Sequence, residues 1–241
     1  GVSGTGFAAT ITCTPGADGS YLPGNSTPAV VCNTVSATTI TQPSTAGFYI
    51  LTKSRLAETL NVGDTNVTAN VAGGYAGIGN QYAMGAAGAS IVTGNVKFTV
   101  TASNGNVNGL GSHSNVNMTT KDVILDLTYH YPTGNSSNGG SIYGVLAGST
   151  VDSGELATYN GKYTTITTNA LNITQTATGG TINAILNNGI RAIQGANQDS
   201  GKGSAGQVIV NGILDMKLTG NRSIGIYVSG NLTNTGVATA A

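Results

Sequence analysis

The sequence contains few charged and few aromatic residues. Charged residues make up 7% of the 241 positions, against about 25% in an ordinary globular domain. Aromatic residues make up 5%, and tryptophan is absent. A thick core of large side chains is therefore excluded. Disorder is not indicated either, because 39% of the residues are hydrophobic and like charges do not form runs.

Neither sign of charge is in excess. Nine basic and nine acidic residues give a formal net charge of zero, and no basic patch is present, which argues against nucleic acid and anionic membranes as partners. No apolar run approaches the roughly 18–20 residues of a membrane-spanning helix. The segment GVSGTGFAATITC at the start lacks a basic region and a long apolar stretch. We therefore expect any signal peptide to have been removed already.

Motifs for catalysis and metal binding are also missing. Neither G-x-S-x-G nor H-E-x-x-H occurs. GKGSAG (201–206) precedes a strand-like segment rather than a helix, which argues against a dinucleotide site. His113 and His130 are interpreted as surface histidines. The sequence therefore predicts no metal, no cofactor and no enzymatic activity.

Glycan cleavage is the enzymatic alternative, and it needs two carboxylates about 5–9.5 Å apart. Asp122 and Asp126 share a strand face but are four residues apart, about 13 Å. Asp126 and Asp215 occupy equivalent positions in the repeat described below, which predicts a separation of about 19 Å. Asp122, Asp126 and Asp152 remain the candidates for this activity, and exposed strand residues are the simpler interpretation.

Cysteine is nearly absent. Cys13 and Cys32 are the only two, and they bracket a segment rich in Pro, Gly, Asn and Asp. A disulfide between them would stabilise the fold by about 3 kcal/mol in the chain-entropy model and would indicate a secreted or surface protein. Two unrelated buried thiols are the alternative. We expect residues 1–45 to form an N-terminal cap region and residues 46–241 to form one continuous domain.

The remaining composition favours strands. Thr and Val favour extended backbone, while Gly, present 37 times, and Asn accept the positive φ of sharp turns. In ILDLTYHY (124–131), apolar and mainly polar residues alternate, as in a strand with one buried face. The chain is therefore predicted to be all-β.

Two families of strand-like segments recur along the chain. The first contains VILDLT (123–128), NALNIT (169–174) and GILDMK (212–217), which superpose on Leu125, Leu171 and Leu214 at steps of 46 and 43 residues. The second superposes on Ile142, Ile190 and Ile226 at steps of 48 and 36 residues. Earlier segments, AGFYILTKS (46–54) and VKFTVTA (96–102), cannot be placed on this ladder. The repeat averages about 45 residues.

A repeat of this kind predicts a β-solenoid. If each unit holds two turns, one turn takes about 22 residues and the chain forms roughly ten coils. Leu125, Leu171 and Leu214 should then lie in one column of the core. A β-sandwich is the alternative, because short strands separated by turns also describe that fold.

Threonine-rich segments raise a separate hypothesis. Regular Thr columns on a flat solenoid face can order water and bind ice, which requires T-x-T at one place on successive coils. TTIT (38–41) and YTTITT (163–168) are isolated in the sequence. An ice-binding face is therefore not predicted.

The segments GGTINAILNNGIRAIQGAN (179–197) and NRSIGIYVSGNLTNTG (221–236) resemble the passenger domains of bacterial type V autotransporters. Such passengers carry degenerate runs of a small residue, Ile-Gly-Ile-Tyr and a turn rich in Gly, Asn and Thr. The resemblance implies a right-handed parallel β-helix exported across the outer membrane of a Gram-negative cell and then displayed or released. It also implies a C-terminal outer-membrane translocator barrel in the full-length protein.

The function expected from this resemblance is that of an adhesin. The partner would be a host cell-surface protein, a glycan or another copy of the chain. Exposed loops at 132–141 and 194–206 are the candidate binding segments, with Asn135, Asn138, Asn197, Asp199 and Lys202. A polysaccharide-active β-helix enzyme and a secreted virulence factor that signals through a host receptor are the two alternatives.

Overall fold

Every element of the described chain is a β-strand. The computed structural model describes residues 31–42, 48–50, 59–71, 75–80, 90–112, 117–131, 140–148, 163–179, 186–192, 205–220, 222–228, 231–234 and 238–240. The strands are β1 (Val31–Gln42), β2 (Phe48–Ile50), β3 (Thr59–Val71), β4 (Tyr75–Asn80), β5 (Ser90–Val92), β6 (Val96–Ala102), β7 (Asn106–Ser112), β8 (Asn117–Thr119), β9 (Val123–Tyr131), β10 (Ser141–Ala147), β11 (Tyr163–Thr168), β12 (Leu171–Gly179), β13 (Leu186–Ala192), β14 (Ala205–Val210), β15 (Leu214–Thr219), β16 (Ser223–Val228), β17 (Asn231–Asn234) and β18 (Ala238–Ala240). The all-β prediction is confirmed.

These strands form two sheets, one of twelve strands and one of six. The smaller sheet has the order β16-β13-β10-β7-β4-β2, and the larger sheet contains all the others. Each pairing between described strands is parallel. β-Sandwiches are built from antiparallel sheets, so the sandwich alternative is wrong for this part of the chain.

The chain alternates regularly between the two sheets. One pass through the larger sheet is followed by one strand of the smaller sheet, and we call this unit a row. The rows in the described part are β1–β2, β3–β4, β5–β7, β8–β10, β11–β13, β14–β16 and β17–β18, the last with strands in the larger sheet alone. Equivalent strands of successive rows are hydrogen-bonded neighbours, an arrangement consistent with a β-solenoid.

The expectation of two turns in each 45-residue unit is wrong. Leu171 pairs directly with Leu214, 43 residues later, and Val123 pairs with Leu171, 48 residues later. Each such unit is therefore one row with long connections between its strands. Shorter connections give steps of 27 residues, from Val96 to Val123, and 24 residues, from Leu214 to Ala238. The described residues thus form seven rows, not about ten coils.

The first strand family lies in one sheet, as expected, but its register differs from the prediction. Leu171 does lie opposite Leu214. Leu125 lies opposite Ile173 instead of Leu171, and Ile173 lies opposite Met216. The sequence superposition was therefore wrong by two residues at its first step. Leu, Ile, Val and Met fill an inward position almost equally well, so hydrophobic matching alone could not distinguish the two registers.

The second strand family forms the smaller sheet. Ile190 lies opposite Ile226, as the superposition predicts. Ile142 lies opposite Asn187, however, and Val145 is the residue opposite Ile190, so that step was wrong by three residues. The two segments that the repeat could not place, 46–54 and 96–102, contain β2 and β6. β2 pairs with β4 in the smaller sheet, and β6 pairs with β9 in the larger one.

Glycines of the smaller sheet form a column, and three of them, Gly109, Gly144 and Gly189, lie directly against large side chains of the larger sheet. The glycine column consists of Gly109, Gly144, Gly189 and Gly225, and the facing column consists of Phe98, Leu125, Ile173 and Met216. A Cβ added at Gly144 would lie 2.5 Å from Gln175 Oε1, 2.6 Å from the Gly189 carbonyl oxygen and 3.1 Å from Ile173 Cδ1. The missing side chain therefore allows the two sheets to approach each other.

In the third to sixth rows, the pass through the larger sheet turns at a corner and is divided into two strands, for example β5 and β6. The backbone amides at the corners continue the ladder, from Gly94 to Gly63 O, from Lys121 to Gly94 O and from Asn169 to Lys121 O. One position further, side chains support the same ladder. Asp64 Oδ1 accepts a hydrogen bond from the amide of Asn95 (2.8 Å), and Asn95 Oδ1 accepts one from the amide of Asp122 (3.2 Å). Asx side chains thus hold adjacent corners in register.

Buried polar residues interrupt the core near its C-terminal end. Gln175 and Asn187 are both fully buried. Gln175 Nε2 donates to Asn187 Oδ1 at 2.7 Å. Asn187 Nδ2 in turn donates to Thr219 O at 3.2 Å and Ser223 Oγ at 3.0 Å. These bonds connect the two sheets across the core and satisfy groups that would be costly to bury alone.

The predicted N-terminal cap and disulfide lie mostly outside the described residues. Cys13 is not among them. Cys32 lies in β1, where its backbone pairs with Val62 of β3. The disulfide between Cys13 and Cys32 and the boundary at residue 45 stay predictions.

Candidate functional site

The residues predicted for binding lie in segments that the structure does not describe. Asn135 and Asn138 fall between β9 and β10, and Asn197, Asp199 and Lys202 fall between β13 and β14. His113 and Asp152 also lie outside the described residues. A candidate site can therefore be built only from the faces of the two sheets.

The outer surface of the larger sheet carries aligned threonines, which we call the threonine face. Its first column is Thr68, Thr99, Asp126, Thr174 and Lys217, and its second is Asn70, Thr101, Thr128, Thr176 and Thr219. All ten residues are exposed or half-buried. They alternate along each strand with buried residues of the core, as the burial pattern of β6 and β12 shows.

The spacing of the threonine face is set by the backbone. Neighbouring rows are about 4.8 Å apart, and two residues along one strand span about 6.7 Å. Thr side chains are stiff at χ1 because Cβ is branched, so the threonine hydroxyls of the second column are held at regular intervals. T-x-T itself occurs here only in β6 and β12, but one threonine recurs at a fixed place in four successive rows, which the two isolated threonine-rich segments had not indicated.

Charged groups on the threonine face are sparse. Asp126 and Lys217 stand in the first column with Thr174 between them, while the second column contains no charge. His130, at the end of β9, is exposed, and its Nδ1 lies 2.7 Å from Thr178 Oγ1 of the next row. A surface of this kind offers hydroxyl donors and acceptors to a neutral polar ligand.

The carboxylates are arranged differently from the prediction. Asp126 lies in the column of Lys217, not of Asp215, so the two aspartates do not hold equivalent positions. They are two rows and two positions apart, about 12 Å between Cα atoms instead of about 19 Å. Asp122 accepts a hydrogen bond from the amide of Ala170 (3.2 Å) at the corner, which is a structural contact.

No group of three His, Cys, Asp or Glu side chains that could hold a metal ion occurs in the described ranges. No helix long and apolar enough to cross a membrane was found there either.

In comparison with known proteins, the chain matches no family model, no curated protein and no solved structure.

Proposed function

We propose that the chain is an adhesive module of the autotransporter passenger type, folded as a right-handed parallel β-helix and displayed outside the cell. Its threonine face binds a host glycan or a host cell-surface protein without covalent chemistry. The observation that carries this proposal is the alignment of Thr101, Thr128, Thr176 and Thr219 on four successive rows. That alignment turns four separate strands into one continuous polar surface.

The physical advantage of this surface is preorganisation. Each central strand is hydrogen-bonded on both sides, and the branched threonine side chains lose little freedom when a ligand binds. A Thr hydroxyl is one donor and two acceptor sites, which suits the hydroxyls of a sugar or the backbone of a protein. Asp126 and Lys217 on this face, and Lys97 and Asp215 in the neighbouring exposed column, are opposite charges in equal number, so binding should depend only modestly on salt.

The same columns favour a second candidate function, the ordering of water at an ice surface. The second column, from Thr101 to Thr219, supplies one threonine per row at a fixed place, while the full T-x-T pattern is present only in β6 and β12. Thermal hysteresis of the protein solution would distinguish this function from adhesion. The charges of Asp126 and Lys217 in the first column make adhesion the better-supported proposal.

Placing two lysines on the threonine face should weaken binding strongly without unfolding the protein. We expect the double variant Thr128→Lys/Thr176→Lys to lose at least about tenfold in affinity, because two bulky cations interrupt the flat hydroxyl grid. Binding is measured on host cells and on a glycan panel. The thermal midpoint of each variant is recorded as a check on folding.

The matched control places the same substitutions on the other half of the larger sheet. Thr119 of β8 and Thr167 of β11 are also opposite each other in adjacent rows, so Thr119→Lys/Thr167→Lys should bind as the unmodified chain does. Equal loss in both double variants, or in neither, would refute the assignment of binding to the threonine face. Shortening of the polysaccharides during the same incubation would favour the enzymatic alternative instead.

A further inference from the structure

An Asn-Gly pair lies in the turn between β6 and β7. Gly105 has a φ of 90°, a conformation that residues with a side chain rarely adopt, so the turn favours glycine there. Asn104 precedes it and is exposed, while Gly105 itself is half-buried. The turn therefore places an accessible asparagine side chain directly before a residue that has no β-carbon.

The amide nitrogen of Gly105 lies against this asparagine side chain. It donates a hydrogen bond of 2.8 Å to Asn104 Oδ1. Because Oδ1 is bonded to Cγ at about 1.2 Å, the nitrogen is no more than about 4 Å from Cγ. Groups poised to react are about 3–3.5 Å apart, so a small rotation of the Asn104 side chain brings the two atoms together. No side chain of Gly105 obstructs the approach.

The other Asn-Gly pairs among the described residues are held differently. Asn108–Gly109 and Asn188–Gly189 lie inside β7 and β13, each of which is paired on both sides with parallel strands. Asn108 is also buried, with 6% exposed. Asn211–Gly212 lies at a corner, where the Gly212 amide donates to the Asn169 carbonyl oxygen of the preceding row (3.2 Å). In these three pairs a hydrogen-bonded ladder must open before the glycine nitrogen can move towards the asparagine side chain.

We propose that Asn104 is a site of spontaneous deamidation. The Gly105 nitrogen gives its proton to hydroxide and forms a bond to Asn104 Cγ. The bond from Cγ to Nδ2 breaks, and ammonia leaves with a proton from water, which regenerates hydroxide. Water then opens the resulting succinimide at either carbonyl and yields aspartate or isoaspartate, so that water is consumed, ammonia is released and nothing is oxidised or reduced. This proposal does not depend on the threonine face.

Isoaspartate at position 104 would disturb the contact between the third and fourth rows. Its main chain is one carbon longer than that of asparagine, so the Gly105 carbonyl oxygen must shift. That oxygen accepts a hydrogen bond of 2.8 Å from the Tyr129 hydroxyl. A Cβ added at Gly140 would collide with the same oxygen, so the space around it is closely filled. The modification should therefore destabilise the fold.

The test incubates the purified chain at mildly alkaline pH, once folded and once in urea. Peptide mass spectrometry locates the deamidated residues, and enzymatic methylation of isoaspartate identifies that product. In the folded chain, we expect Asn104 to convert at least about tenfold faster than Asn108, Asn188 and Asn211, because their ladders must open first. In urea all four should convert at comparable rates, since glycine follows each. Equal rates in the folded chain, or conversion of Asn104 in urea alone, would overturn the proposal.

Asn104→Gln is the matched control for the effect on the fold. Glutamine keeps the amide, but its longer side chain must close a larger ring, which forms much more slowly. We expect the thermal midpoint of the unmodified chain to fall as isoaspartate accumulates, and that of Asn104→Gln to stay constant. Freshly prepared Asn104→Asp carries the new charge without the longer main chain and should melt as the unmodified chain does.

Two results would contradict this effect on the fold. An equal fall of the midpoint in the unmodified chain and in Asn104→Gln would show that residue 104 is not its cause. Accumulation of isoaspartate at position 104 with a constant midpoint would show that the Gly105 carbonyl oxygen tolerates the longer main chain.

Discussion

Replacing Gly144 with alanine is expected to lower the free energy of unfolding by about 3 kcal/mol. The new methyl group would lie 2.5 Å from Gln175 Oε1 and 2.6 Å from the Gly189 carbonyl oxygen. The carbonyl belongs to the hydrogen-bonded backbone of the next row and cannot move away independently. Part of the sheet must shift, and the contact between Ile173 and the glycine column is weakened.

The control for this prediction is the same substitution at Gly225. No atom lies within 4 Å of a Cβ added there, so Gly225→Ala should change the free energy of unfolding by no more than about 0.5 kcal/mol. Chemical denaturation followed by far-UV circular dichroism measures both variants. Equal destabilisation of the two would show that the intrinsic backbone preference of glycine, and not the close approach of the two sheets, determines the effect of the substitution.

Replacing Tyr129 with alanine is expected to cost about 4 kcal/mol, the largest effect of any single truncation considered. Tyr129 is fully buried and lies between Ala102 and Ala177 of the adjacent rows, so its ring fills the space that two small residues leave. Its hydroxyl donates a hydrogen bond of 2.8 Å to the carbonyl oxygen of Gly105. Neither alanine can close the resulting cavity.

Two further variants separate the ring from the hydroxyl and from the strand. Tyr129→Phe should cost about 1 kcal/mol, because it removes one hydrogen bond and keeps the ring. Ile124→Ala, on the exposed face of the same strand, β9, should cost less than about 1 kcal/mol, since Ile124 is already 48% exposed. A cost for Tyr129→Ala as small as that of Ile124→Ala would contradict the described core.

The sequence was sufficient to predict the class of fold and the strand families, because alternation and recurrence follow directly from a buried face and a stacked repeat. It did not determine register. Superposing on isoleucine aligned Ile142 with Ile190, whereas superposing on glycine would have aligned Gly144 with Gly189 correctly. Aliphatic residues substitute for one another in a core, but only glycine fits where the next row's carbonyl approaches.

The error in register also concealed the threonine face. With Leu125 set opposite Leu171, Thr128 falls opposite Thr174 and then Lys217, and no uniform column results. In the structure, Thr128 lies opposite Thr176, and Thr176 lies opposite Thr219.

The number of rows was predicted wrongly for a related reason. A unit of about 45 residues fits two short turns as well as one row with long connections, and periodicity alone does not distinguish them.

Disulfide trapping between adjacent rows tests this register and the number of rows most directly. Thr128→Cys and Thr176→Cys place two thiols opposite each other with Cα atoms about 4.8 Å apart, within the range of a disulfide. The pair Thr128→Cys and Thr174→Cys is diagonal, with Cα atoms about 8 Å apart, beyond the limit of about 7 Å for a disulfide.

Peptide mass spectrometry identifies the disulfide bonds and distinguishes them from any bond to Cys13 or Cys32. We predict efficient cross-linking of the first pair and little of the second. The reverse preference would restore the Leu125–Leu171 register, and failure of both pairs would contradict adjacent rows altogether.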